Sequence, residues 1–301
     1  MTLPGIATIP RLSQAAGLEL AARRIVEGLY VGRHRSPYTG PATEFNDHRA
    51  YQPGDDLRSV DWKAYGRSDH LLIRRYREER DLPLALVLDT SASMAYGAQR
   101  NGAPDKSTWA GLAAAVLGLL ALDQSDRVRL VAGSADIEQC SAEHGGAAGA
   151  NALVHALAAL TWYGAGDLPR LLTGLGGRLP RRTLVVVISD LICTPAELVR
   201  PLGALAARGH DLAVIQVLDR AEISLPADWG LSRLSDPEGR ISSLTCDADA
   251  AKDGYDEAVR GHLAECRRVV AGCRGDHVLG VTDQPVVDVL GGWLHRRRVR
   301  R

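Results

Sequence analysis

Asp89, Ser91 and Ser93 stand at alternate positions directly after an apolar run, residues 82–88. A carboxylate followed by two hydroxyls at two-residue steps offers hard oxygen donors. Magnesium accepts such donors in near-octahedral geometry while keeping several waters. Alternate residues of an extended turn point the same way, so Ser91 and Ser93 would face one ligand together. A second carboxylate, Asp190, follows another apolar run, residues 183–189, and could reach the same ion directly or through water. The plainer account of both aspartates is helix N-capping, which strand-to-helix turns commonly use.

Catalytic chemistry finds less support in the residue pattern. An aspartyl phosphoryl-transfer site would place a carboxylate two residues after Asp89, where Ser91 stands. The sequence holds no Gly-x-x-x-x-Gly-Lys-Ser/Thr loop for nucleotide phosphates and no Gly-x-Ser-x-Gly elbow. Its nine histidines are scattered, without His-Glu-x-x-His, and its five cysteines contain no Cys-x-x-Cys pair. Reduced thiols and a cytoplasmic location are the resulting expectation.

Positioning such a cluster requires strands that end together. The pattern from residue 82 onward alternates short apolar runs with amphipathic stretches, which predicts a doubly wound, mostly parallel α/β sheet covered by helices on both faces. Strands are expected at 82–88, 127–132, 183–189, 211–218 and 278–281. Helices are expected at 108–122, 150–160, 168–175, 195–207, 251–271 and 285–294, with Thr194 as an N-cap and Pro195 at its first position. Segments 231–234 and 240–244 flank Asp236-Pro-Glu238-Gly and read as a hairpin. In an open sheet of this class, ligands gather at the carboxyl ends of the strands, where Asp89 and Asp190 fall.

Residues 12–31 carry apolar side chains at helical spacing, and the stretch 33–80 is dense in both signs of charge. Tyr51, Trp62 and other aromatics interleave those charges and are costly to leave in water. The expected division is therefore 1–80, a helix plus an ordered charged segment packing on the rest, and 81–301, the α/β domain with its hairpin and terminal helices. Lys plus Arg equals Asp plus Glu at 36 each, so no overall field favours nucleic acid or an anionic membrane. The opening residues lack a basic and apolar leader pattern, and the apolar run 112–122 is too short to span a bilayer. No transmembrane segment is expected.

Asp89-x-Ser91-x-Ser93 after one strand, with Asp190 after another, resembles the metal-ion-dependent adhesion site of von Willebrand factor A domains. The charged segment is more specific. Arg49-Ala-Tyr51-Gln-Pro53-Gly54-Asp55-Asp56-Leu-Arg58 and Asp61-Trp62 look like the signature of domain-of-unknown-function family 58. The resemblance implies a von Willebrand factor A-like, Rossmann-like fold and a non-enzymatic role with MoxR-type AAA+ ATPases, which are thought to mature or activate other protein complexes in a chaperone-like way. It implies magnesium, with manganese or calcium as alternatives, and a client that offers an acidic side chain to the ion. The expected metal residues are Asp89, Ser91, Ser93, Asp190 and Asp167, with Thr90, Met94 and Thr194 facing the partner. One departure stands out. The family's second metal loop usually offers a Thr before Asp-Leu, whereas Gly166 precedes Asp167-Leu168 here. Either water fills that place or Asp167 takes part. In the charged segment, Asp55, Asp56, Arg58 and Asp61 either form ion pairs anchoring Trp62 or dock the ATPase. A metal-dependent phosphoesterase and a structural scaffold with an empty metal site remain the rival functions.

Overall fold

The computed structural model describes residues 15–33, 48–50, 65–66, 72–74, 83–97 and 102–299. The chain divides into two compact units, Met1–Val31 with Leu82–Arg301, and Gly32–Asp81. The first helix, α1 (Ala15–Arg33), therefore groups with the sheet and not with the charged segment that follows it. In the smaller unit, β1 (His48–Ala50) and β2 (Leu72–Arg74) pair antiparallel, with Arg49 opposite Ile73. Tyr51, Pro53, Gly54, Asp55, Asp56, Arg58, Asp61 and Trp62 lie outside the described residues, so their expected roles are not placed.

The larger unit is built on a six-stranded sheet. Its strands are β3 (Leu84–Asp89), β4 (Val128–Gly133), β5 (Gln139–Cys140), β6 (Leu184–Ser189), β7 (Asp211–Leu218) and the strand at Asp276–Val281. A separate hairpin, β8 (Leu231–Leu234) with β9 (Leu244–Asp247), precedes that last strand, which is β10. The order across the sheet is β10-β7-β6-β3-β4-β5, parallel except for the β5 edge. Successive connections leave β3 in opposite directions, so the topological switch falls between β3 and β6.

Strand side chains alternate between two cores, as the two-residue period requires. Leu84, Leu86 and Leu88 join Leu130, Val186, Ile188 and Ile215 on one face. Ala85 and Val87 join Val131, Val185, Val187 and Val214 on the other. Strands buried on both sides explain the continuous aliphatic runs in the sequence. On the first face lie α1, α2 (Lys106–Asp123), α3 (Gly146–Ala158) and, near the carboxyl terminus, the helix at Val286–Val299. On the second lie α4 (Leu168–Gly174), α5 (Val199–Ala207) and the long helix at Ala248–Gly272. A one-turn helix, α6 (Arg220–Ile223), makes the long helix α7 and the last one α8.

α2 is apolar nearly all round, the pattern of a helix enclosed by its own protein. Among the described residues it alone is long and apolar enough to cross a membrane, and most of it is buried within the fold. The expected helix at 195–207 begins as a 3-10 turn, Pro195–Leu198, and Thr194 makes no side-chain cap bond. The second hairpin strand runs from 244 to 247, later than its expected 240–244. The physical reason is Asp236, whose carboxylate accepts from the backbone N–H of Glu238, Arg240 and Ile241 and winds residues 236–241 into a compact loop.

Candidate metal-binding site

β3 and β6 are paired in register, Leu88 opposite Ile188, so their carboxyl ends deliver Asp89 and Ser189-Asp190 side by side. All are buried: Asp89 is 3% exposed, Ser189 0% and Asp190 2%. Asp89 Oδ2 accepts from Ser189 Oγ at 2.6 Å, and its Oδ1 accepts from the Ser91 N–H at 3.0 Å. Ser189 Oγ in turn accepts from Leu191 N–H at 3.0 Å. Leu191 itself adopts a left-handed backbone, φ 55°, costing about 1 kcal/mol for a residue with a Cβ. That bend turns the chain sharply after Asp190, whose Oδ1 accepts from Ile192 N–H at 3.3 Å. Neither aspartate caps a regular α-helix, so the capping account does not describe them.

Ser91 and Ser93 flank the entry to a 3-10 turn, Ala92–Ala95, and their hydroxyl oxygens stand 3.1 Å apart. Magnesium–oxygen distances of about 2.1 Å put neighbouring corners of an octahedron about 3.0 Å apart. The pair therefore fits one edge of a magnesium shell. Among the described residues no three Asp, Glu, His or Cys side chains converge as a metal cage. An ion here would rest on hydroxyls, water and the two aspartates.

The electrostatics point the same way. Burial, then the charge of Asp190, push the Asp89 carboxyl up to about 6, against the opposing hydrogen bonds from Ser189 and Ser91. Asp190 has a partner that the sequence reading missed. Lys106, 0% exposed, donates to Asp190 Oδ2 at 2.8 Å and to Glu222 Oε1 at 2.6 Å. Burial alone would lower the ammonium's pKa, but attraction to Asp190 and Glu222 raises it. Glu222 is itself fixed by a capping box with Asp219 at the start of α6. One buried cation thus serves Asp190 and Glu222, leaving Asp89 without a counter-charge among its hydrogen-bond partners. The signal for Lys106 was available: a lysine opening an apolar helix carries the wrong sign for the helix dipole and needs another reason to be there.

The remaining expected residues scatter. Asp167 is exposed and accepts from Arg170 N–H at 3.0 Å as the N-cap of α4, a role that uses its Oδ1. Thr90 and Met94, expected to face a partner, are buried instead at 2% and 0%. Thr90 is tied on both sides, donating its N–H to Gly133 and accepting from Tyr163 N–H, while Met94 fills the first core. Thr194 is exposed. The exposed apolar side chains close in the chain to the site loops are Tyr163 and Ile192, and Ile192 lines a cleft of about 610 Å3 with Ser93, Tyr96 and Ile241.

Residues 47–265 match the family model described as protein of unknown function DUF58. Uncharacterized proteins of Mycobacterium tuberculosis and Mycobacterium bovis are 32% identical over 296 residues, covering 96% of this chain and 91% of each relative. A shorter uncharacterized protein of Mycobacterium avium is 35% identical over 135 residues, covering 44% of this chain and 78% of its own length. In structure the chain is similar to the conserved hypothetical protein BatB from Bacteroides thetaiotaomicron, with a TM-score of 0.46 and 15% identity over 71% of this chain and 98% of that one. It is also similar to the SpRpn10 VWA domain, with a TM-score of 0.42 and 10% identity over 69% and 93% of the two chains.

Proposed function

As the chain belongs to the DUF58 family, whose function is unknown, we propose its function from the site itself: a magnesium-dependent protein-interaction module without catalytic activity. The observation that carries this reading is the Ser91–Ser93 hydroxyl pair at octahedral-edge spacing beside a buried, uncompensated Asp89. Asp89, Ser91, Ser93, Ser189 and Asp190 would hold the ion, which supplies a strong, directional contact for an acidic side chain of a client. Tyr163, Ile192 and Ile241 offer exposed apolar surface for the same client. A MoxR-type AAA+ ATPase as working partner, and maturation of other complexes as the task, extend the proposal from the family resemblance. The proposed setting is the cytoplasm, in keeping with five cysteines that are all free.

Magnesium titrations followed by thermal melting test the reading. Millimolar Mg2+ should raise the melting temperature of the wild-type chain through binding to the folded state. The Ser91→Ala, Ser93→Ala double variant should lose that response while melting normally in chelator. An equal response in both chains, or none in the wild type, overturns the proposal. Phosphoesterase turnover that depends on Asp89 would replace it with an enzymatic one.

A further inference from the structure

Gly166 lacks the hydroxyl that the second metal loop of such a site is expected to offer, and the space beside it is filled. A Cβ built on Gly166 would lie 2.9 Å from Ser91 Cβ and 3.2 Å from Ser91 Oγ. The same point lies 3.2 Å from Glu238 Oε1. Glu238 comes from the loop between β8 and β9, remote in sequence, and its side chain is 5% exposed. Its Oε2 accepts from Gly166 N–H at 3.0 Å and pairs with Arg240 at 2.7 Å. Arg240 also donates to the Gly166 carbonyl oxygen, clasping the two loops together. Oε1 accepts no hydrogen bond from the described residues, and Glu238 lines the same cleft as Ser93, so this oxygen is free to meet an ion there.

We propose that Glu238 is a ligand-shell residue of the metal site, its Oε1 standing in for the hydroxyl that Gly166 cannot supply. The inference rests on the magnesium reading above and extends it by a charged donor. Glycine at 166 is what admits it, since any side chain there would meet Ser91 and displace the carboxylate. Asp236 holds the loop in shape by accepting three backbone N–H groups, which fixes Glu238 against the site. A hairpin outside the sheet is thereby attached to the strand ends, and metal occupancy would fasten it more firmly.

Calorimetric titration of the full chain with Mg2+ alone tests this, using wild type, Glu238→Gln and Glu238→Asp. Removing one charged donor should weaken binding about tenfold or more. Glu238→Gln should melt like the wild type in chelator, since the amide can still accept from Gly166, and Glu238→Asp should bind between the two. Glu238→Gln binding as tightly as wild type overturns the role of Glu238 while leaving the metal site standing. A wild-type chain that takes up no Mg2+ overturns the metal reading and this inference together.

Discussion

At the residue scale, the site concentrates more negative charge than its one buried lysine can balance. Asp89 shows the consequence. Its carboxyl is raised from 3.8 to about 6, by burial first and by Asp190 second. Between those values the folded chain keeps a proton that the unfolded chain has released. Stability of the metal-free protein therefore falls as pH rises from about 4 to about 6, and the deficit persists above that. Asp89→Asn removes the ionisation while its amide can still accept from Ser91 N–H. In chelator at pH 8 this variant should be more stable than wild type by about 1–3 kcal/mol, converging with it near pH 4. Denaturant melts at the two pH values check this, and a variant less stable at pH 8 would show that the ionised carboxylate is already well satisfied. The Asp-x-Ser-x-Ser spacing made this part of the site legible in the sequence. Lys106 left a trace, as a lysine at the start of an apolar helix, but Glu222 and Glu238 left none, because each reaches the site from an element distant in the chain and spacing carries no information about such meetings.

Elements were easier to read than their meetings. β7 runs over the predicted 211–218, and the other sheet strands of the larger unit begin or end within two residues of expectation except at the edge. Continuous aliphatic runs identify doubly buried strands because both faces must be apolar. β5, with two residues, carries no such pattern. The hairpin loop ran longer than expected because a single Asp side chain, not the strand residues, sets its shape. Packing between elements depends on contacts that local pattern does not encode, as Gly280 on β10 illustrates. A Cβ there would lie 2.4 Å from the Trp109 ring of α2. Trp109 is pinned as well by its indole N–H donating to the Gln284 carbonyl oxygen at 2.9 Å. Gly280→Ala should therefore cost about 1–3 kcal/mol by overpacking. The same helix presents Lys106 to Asp190, so the strain is expected next to the site's counter-charge. Urea unfolding with an unchanged slope and a lower midpoint is the expected result; a change under about 0.5 kcal/mol would mean the ring moves aside freely.

For the whole molecule, the first helix belongs to the sheet unit although some fifty residues of the other unit intervene in sequence. Leu18, Ala22 and Val26 recur every fourth residue and are 1%, 0% and 4% exposed, a stripe sunk into the core shared by α2 and α8. Burying a side chain such as Leu or Val is worth about 1.5–3 kcal/mol, so these contacts hold the helix without help from the chain connection. The unit that holds the sheet therefore includes α1, which covers part of one face of its core. A site for a sequence-specific protease placed between residues 34 and 47 separates connection from contact. After cleavage the α1 fragment should co-elute with the remainder on gel filtration at micromolar concentration and separate only in denaturant. The remainder, stripped of α1, should melt below the cleaved complex because it exposes the apolar face that Leu18, Ala22 and Val26 cover. If the fragment departs freely and the remainder melts unchanged, α1 is an attachment to the fold and the core is complete from β3 onward.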